Sequence, residues 1–165
     1  MVIWTTTPWT LPSSQAVSLN AELSYVAVRV EGSDQLFVIA EELLKSVAER
    51  CKWSGYTNLG SAKGADLEGL PLCHPFYDLE LPIILGDHVT TDAGTGAVHT
   101  APDHGEDDFR VGRRYGIGIL NYVNDQGIFR DKVQYFAGEH VYKVCLLYTS
   151  PSPRDQRGSR MPSSA

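Results

Sequence analysis

The sequence predicts a mixed α+β domain, barrel-like, built from many short strands with a few helices. Short runs of β-branched and aromatic residues alternate with glycine-containing and acidic turns, which is typical of short strands. Two other stretches have helical spacing, and no internal repeat is visible. The 165 residues, 42% hydrophobic and 21% charged, suit one globular domain with a core of useful size.

The strand predictions follow the β-rich runs in chain order. The first run begins at Met1 as a strand already in progress, and the next two flank residues 31–34, a hairpin signal. Gly64 ends a later run, and residues 86–87 separate the last two. The predicted strands are residues 1–5, 25–30, 35–40, 56–63, 82–85 and 88–91, with further strands and turns over 119–141.

Two helices are predicted. In residues 41–50 Leu43, Leu44 and Val47 share a face. The second helix begins at Gly105, with acidic residues in its first turn and arginines in its last, as the helix dipole favours. Gly116 would end it.

Two stretches stand apart from ordinary core or linker. Residues 4–12 read WTTTPWTLP, with four threonines, two tryptophans and two prolines in nine positions. Hydroxyls beside aromatic walls can bind a small polar ligand that carries an apolar side chain. Residues 94–109 read GTGAVHTAPDHGEDDF, in which two glycines bracket Thr95 and permit a sharp turn or close approach to a ligand.

Together, and in this order, the two stretches resemble the signatures of the editing domain of isoleucyl-tRNA synthetase, a class I aminoacyl-tRNA synthetase. The resemblance covers roughly residues 2–144. It implies hydrolysis of mischarged valyl-tRNA(Ile), with valyl-adenylate left open as a second substrate, by water attack in a threonine-lined pocket. It also implies that editing needs no metal or cofactor, whereas the parent enzyme attaches isoleucine to tRNA with ATP and Mg in a synthetic site absent from this sequence. The expected partners are the aminoacylated 3′ end of tRNA(Ile) and its valine moiety.

The resemblance assigns roles to individual residues. Asp108 would pair with the α-ammonium of the amino acid, and His99 would exclude side chains larger than valine. Three threonines would hold the ester, the ribose and the attacking water. The implied catalytic set is Thr5, Thr6, Thr7, His99 and Asp108. The implied substrate-binding set is Trp4, Trp9, Ser14, Gly94, Thr95, Gly96, Ala97 and Val98.

The chain departs from the family pattern at two positions. Ser14 stands where the family often has asparagine, and Asp103 stands where it often has a small residue. In the sister enzymes for valine and leucine an arginine follows two threonines, whereas here Thr7, Pro8 and Trp9 follow. That difference favours the isoleucine enzyme.

Two other functions stay open. A metal hydrolase could use the oxygen and imidazole groups of His99, Asp103, His104 and Asp108, although their spacing fits no familiar metal motif. A second alternative is a folded module that binds the aminoacylated tRNA end without turning it over.

Charge, cysteine content and hydrophobicity limit the binding partners and the cellular compartment that we expect. Of the net charge of −6, the last sixteen residues contribute +2, so the rest carries −8 and is a poor unaided binder of phosphate backbones. Three widely spaced cysteines suit a reducing compartment, and we expect a cytoplasmic protein. No apolar run approaches 18 residues, so no membrane partner is expected.

The chain divides near residue 144. Residues 1–144 are expected to form the editing domain, truncated at both ends and normally continuous with the class I catalytic domain. Residues 145–165 are rich in serine, proline and arginine and are expected to be disordered. They resemble a translated sequencing adapter and are interpreted as non-native, the alternative being a natural disordered linker.

Overall fold

The computed structural model of the protein describes residues 1–147, and the side chains of residues 1–144. Seven strands and three α-helices lie in this part of the chain. The strands are β1 (Ala16–Leu19), β2 (Ser24–Val30), β3 (Leu36–Ala40), β4 (Tyr56–Lys63), β5 (Pro71–Cys73), β6 (Glu80–Leu85) and β7 (Ala97–Thr100). The α-helices are α1 (Leu44–Arg50), α2 (Glu106–Arg114) and α3 (Val141–Leu147), and 3-10 helices occupy Pro8–Ser13, Glu41–Leu43 and Gly64–Leu67.

The described strands form two sheets. One sheet has the order β5-β6-β1-β7, in which β1 is parallel to β6 and antiparallel to β7. The other has the order β3-β2-β4 and is antiparallel throughout. The predicted α+β class is confirmed. The barrel-like arrangement is an open one, because the two sheets of the described part have separate strand orders and do not close into one barrel.

The main core lies where the two sheets and α1 meet. All four residues of β1 are buried, so this strand is covered on both faces. Val17 and Leu19 pack into the core cluster that includes Val26 and Val28 of β2. On its other face, Ala16 packs with residues of β6 and α2. Because β1 follows the threonine-rich stretch directly, its burial anchors that stretch to the core.

The predicted first strand is wrong as a regular element. Residues 1–5 form no ladder; they make single backbone bonds to both sheets instead. The Val2 N–H donates to the Val38 carbonyl in β3 at 3.1 Å, and the Trp4 N–H donates to the Ala97 carbonyl in β7 at 3.3 Å. The segment therefore bridges the junction between the sheets.

Most of the other predicted elements are present, and one predicted strand is not. The hairpin of β2 and β3, the strand over 56–63 and both predicted helices are confirmed, the first helix beginning as a 3-10 turn. The strand predicted over 88–91 is wrong. Val89 closes a turn in which its N–H donates to the Gly86 carbonyl at 3.2 Å. The Val89 carbonyl accepts a hydrogen bond from the Asn20 side chain at 2.8 Å. Over 119–141 two isolated bridges join turns, Val123 to Phe129 and Ile128 to His140.

The predicted boundary at residue 144 falls inside α3, which continues through Leu147. Residues 148–165, the rest of the predicted tail, lie outside the described residues.

Candidate functional site

The threonine-rich stretch changes conformation halfway along. Residues up to Thr7 are extended or bent, and Pro8 then opens the 3-10 helix Pro8–Ser13, as its fixed φ favours at a helix start. The helix turns Thr10 into the interior, where its hydroxyl donates to the Thr7 carbonyl at 2.8 Å. The side chains of Thr6 and Thr7 stay exposed.

His99 meets the threonines from β7. Its Nε2 lies 3.1 Å from Oγ1 of Thr10 and 3.4 Å from Oγ1 of Thr5. The Thr5 hydroxyl oxygen also accepts the backbone N–H of Thr7 at 3.1 Å. Because Thr5 and His99 are 94 positions apart, the fold alone joins the two sequence stretches.

The imidazole of His99 is buried, with 6% of the residue exposed. Burial lowers its pKa; the carboxylate of Asp108 opposes this effect, and His104 adds to it. The ring is therefore held neutral at physiological pH. Its Nδ1 is also buried and has no hydrogen-bond partner within the described part of the chain.

Asp108 lies in the first turn of α2 and fixes the loop that precedes the helix. Its Oδ2 accepts the backbone N–H of the fully buried Ala101 at 2.9 Å. Burial lowers the pKa of His104, and the carboxylates of Asp103 and, to a smaller extent, Asp108 oppose this effect. Asp108 thus places a negative charge beside two neutral imidazoles.

His104 ties this loop to the 3-10 helix. Its Nε2 lies 3.2 Å from Oγ of Ser13, and its ring meets that of Trp9 edge-on with the centroids 4.9 Å apart. Trp9 therefore supports the site through His104, and the two sequence stretches are joined at a second point.

The glycines before β7 permit close packing. Gly94 has φ +83°, and a Cβ there would come within 2.9 Å of the Cβ of Trp4. Gly96 has φ +73°, its carbonyl accepts the Tyr25 hydroxyl at 2.6 Å, and a Cβ would collide with that of Ala40. These glycines are needed for packing against the N-terminal segment and β3.

A cavity of about 330 Å³ lies on the His99 side of β1. Its wall is mostly apolar, with Ser14 and His99 as polar exceptions. The lining residues are Met1, Ile3, Leu11, Ser14, Val17, Leu72, Cys73, Pro75, Leu81 and His99.

The structure brings some predicted residues together and separates others. Thr5, His99 and Asp108 gather at one place, and Ser14 lines the adjoining cavity. Trp4 is 47% exposed beneath the Arg50 guanidinium, 5.3 Å from the ring centroid. By contrast, Thr95, Ala97 and Val98 of the glycine-rich stretch contribute to backbone hydrogen bonding or to the core. The Thr95 hydroxyl donates to the Ala97 carbonyl, Ala97 is fully buried, and Val98 pairs with Ser18 next to the strand position of His99.

Thr10 and His104 lie in the site, and the sequence does not predict the contacts that they make there. The sequence predicts Thr10 only as part of the threonine-rich signature and His104 only as a ligand of the alternative metal site. The signal for Thr10 was its spacing, because a 3-10 turn starting at Pro8 brings its hydroxyl back toward the Thr7 carbonyl. Finding the partner of His104 required the tertiary structure.

Two further observations concern residues 1–147. Among the described side chains, those of residues 1–144, no three of histidine, cysteine, aspartate or glutamate are grouped so that they could hold a metal ion. Among the helices of residues 1–147, none is long and apolar enough to cross a membrane.

Comparison with known proteins places this domain in a class. A family model described as "Leucyl-tRNA synthetase, editing domain" matches residues 1–151. The chain therefore belongs to this family of aminoacyl-tRNA synthetase editing domains, and the predicted resemblance is confirmed.

Two curated relatives in this class carry the same name. The isoleucine–tRNA ligase of Teredinibacter turnerae is 64% identical over 144 residues, and that of Saccharophagus degradans is 60% identical over 144 residues. Each match covers 87% of this chain and 15% of the relative. The chain thus spans about 15% of the length of these relatives.

Solved structures share the fold at low sequence identity. A chain described as "GlLeuRS-CP1" has a TM-score of 0.67 and 16% identity, covering 88% of this chain and 78% of its own. The cytosolic leucyl-tRNA synthetase editing domain of P. knowlesi has a TM-score of 0.62 and 14% identity, covering 84% and 75%. These likenesses bear on the fold alone.

Proposed function

We propose that this chain is the editing domain of an isoleucine–tRNA ligase and that it hydrolyses the ester of valyl-tRNA(Ile). The family membership and the names of the 60–64% identical relatives support this assignment. The attachment of isoleucine, with ATP and Mg, would belong to the remainder of such a ligase, and the cytoplasm would be its location.

The observation that carries the proposal is the meeting of Thr5, Thr10 and His99 within 3.4 Å, beside Asp108. Hydroxyls both donate and accept hydrogen bonds, so they can orient an ester and a water molecule without forming a covalent intermediate. A carboxylate at the edge of the same site suits the α-ammonium of an aminoacyl ester.

Direct attack by water is favoured over a threonine nucleophile. A nucleophilic hydroxyl needs a neighbouring base that takes up its proton. The imidazole beside Thr5 has a pKa lowered by burial, which makes His99 a weak base. We therefore assign the site an orienting role, and we propose separately that the editing step uses no metal or cofactor.

Recognition of the tRNA would be shared with other parts of a ligase. The chain carries a net charge of −6, which opposes binding of a phosphate backbone. The site would then contact mainly the aminoacylated 3′ end, with the valine side chain limited in size by His99.

The test is deacylation of valyl-tRNA(Ile) and isoleucyl-tRNA(Ile) by the full chain at high protein concentration, in EDTA. Loss of the valyl ester alone is expected. Activity that disappears in EDTA and returns with zinc or manganese would favour the metal hydrolase. Stable esters together with saturable binding of valyl-tRNA would refute catalysis by this chain and favour the binding module.

A further inference from the structure

The hydrogen bonds of Thr10 determine where the proton of His99 lies. Thr10 is buried, and its hydroxyl oxygen lies 2.8 Å from the Thr7 carbonyl, which can only accept, so we place the single hydroxyl proton toward that carbonyl. A hydroxyl has one proton and two lone pairs, so toward His99 the oxygen can only accept. The 3.1 Å contact between this oxygen and Nε2 of His99 therefore requires a proton on Nε2.

The other ring nitrogen agrees with this assignment. Nδ1 of His99 is buried and has no hydrogen-bond partner among the atoms that the structure describes. With the proton moved to Nδ1, a buried donor would be unsatisfied there, and the Nε2 lone pair would face the lone pairs of Thr10. Both changes are unfavourable in a buried site.

The proton on Nε2 in turn orients Thr5. Its Oγ1 receives the Thr7 N–H at 3.1 Å and lies 3.4 Å from Nε2 of His99. The one Nε2 proton is shared between Thr10 and the more distant Thr5, and a protonated Nε2 cannot accept a hydrogen bond, so the hydroxyl proton of Thr5 points elsewhere. Thr5 is only partly buried, so that proton can reach a ligand oxygen.

We infer that Thr10 is a positioning residue that fixes His99 as the neutral tautomer protonated at Nε2, so that Thr5 offers its hydroxyl proton to the substrate. This inference rests on the proposed function for the identity of the acceptor, an oxygen of the aminoacyl ester or of the terminal ribose. His99 then acts toward the threonines as a donor. It takes up no proton from the attacking water through Nε2.

The decisive readout is the tautomer itself, measured by two-dimensional ¹H–¹⁵N NMR of the full chain labelled at histidine. A His99→Gln variant identifies the His99 signals. At pH 7.5 the wild-type ring should show a protonated Nε2 and an unprotonated Nδ1. Thr10→Val, which keeps the shape and removes the hydroxyl, should give a mixture of tautomers or the opposite one. Thr10→Ser should restore the wild-type pattern, and Thr57→Val, on the exposed strand β4, is the matched control.

Kinetics test the consequence for Thr5. Thr10→Val should lower kcat for valyl-tRNA deacylation about tenfold with KM little changed, because one oriented donor is lost. Thr10→Ser should recover most of the rate. A changed tautomer with unchanged kcat would overturn the assignment of Thr5 as donor.

The NMR and deacylation experiments distinguish an error in the role of Thr10 from an error in the proposed function. NMR needs no substrate, so a wild-type ring protonated at Nδ1, or an unchanged Nε2–H ring in Thr10→Val, overturns the role of Thr10 whatever the activity. If Thr10→Val does not fold, Thr10→Ala, which also removes the hydroxyl, takes its place, and a wild-type ring protonated at Nδ1 overturns the inference without any variant. Absence of valyl-tRNA deacylation by the wild type would instead count against the proposed function.

Discussion

Replacing Asp108 by asparagine should separate its charge from its structural hydrogen bond. Oδ2 of Asp108 accepts the Ala101 N–H at 2.9 Å, and an amide oxygen can accept the same bond. What Asp108→Asn removes is the negative charge proposed to pair with the α-ammonium. Hydrogen bonds to charged groups contribute about 1.5–3 kcal/mol, so kcat/KM for valyl-tRNA should fall about 10- to 150-fold.

Asp108→Ala should lose the structural bond as well. Ala101 is fully buried, so its N–H would be left without an acceptor at a cost of about 2 kcal/mol. For a domain of this size that corresponds to a Tm lower by about 4–8 °C, whereas Asp108→Asn should melt close to the wild type. The measurements are single-turnover deacylation and calorimetry, with the exposed neighbour Asp107→Asn as control. Wild-type deacylation by Asp108→Asn would refute the charge-pair role, and an unchanged Tm in Asp108→Ala would refute the structural one.

Three further predictions concern β7 and the glycines before it. His99→Ala should allow isoleucyl-tRNA to be deacylated, because the proposed limit on side-chain size is removed; continued rejection of that ester would contradict this role. Burial lowers the pKa of folded His99 below its ordinary 6.5, so the unfolded chain binds more protons in acid. The stability contributed by the neutral ring should be complete above pH 6.5 and decline as the pH falls through the folded pKa. Urea unfolding at pH 7.5 and 5.5 should show a larger loss for the wild type than for His99→Gln, and equal losses would contradict the assignment. Gly96→Ala should destabilise the fold by about 2–4 kcal/mol, from positive φ and collision with Ala40, while Gly60→Ala, with open space around it, should change the Tm little.

Local sequence patterns predict the elements that short-range interactions determine. Alternating β-formers around residues 31–34 predict the hairpin, and charges and a stopping glycine predict α2. The sequence does not predict β1, because a strand that is buried on both faces lacks the alternation of polar and apolar residues that marks a half-exposed strand. The predicted strand at 88–91 fails because a side chain 69 positions away, that of Asn20, holds Val89 in a turn.

The site shows the same division. The two signatures identify Thr5, His99 and Asp108 as neighbours through a family resemblance, which already contains tertiary information. The residue pattern alone does not reveal that Thr10 contacts His99 across 89 positions, or that His104 meets Ser13 across 91. Such contacts depend on the register of β1 against β7, which pairs Val17 with His99. A shift of one residue would turn His99 to the opposite face of the sheet.

The pairing of β1 with both β6 and β7 has a consequence for how the molecule folds. Thr5 and His99 can approach each other only after a loop of 94 positions has closed, whereas the β2–β3 hairpin needs only local contacts. Closing long loops costs chain entropy before any contact repays it, so non-local pairings form slowly. We expect the hairpin and α1 to become structured first and the site to assemble last. Recovery of deacylation after dilution from urea would then lag behind recovery of secondary structure, and would report completion of the four-stranded sheet.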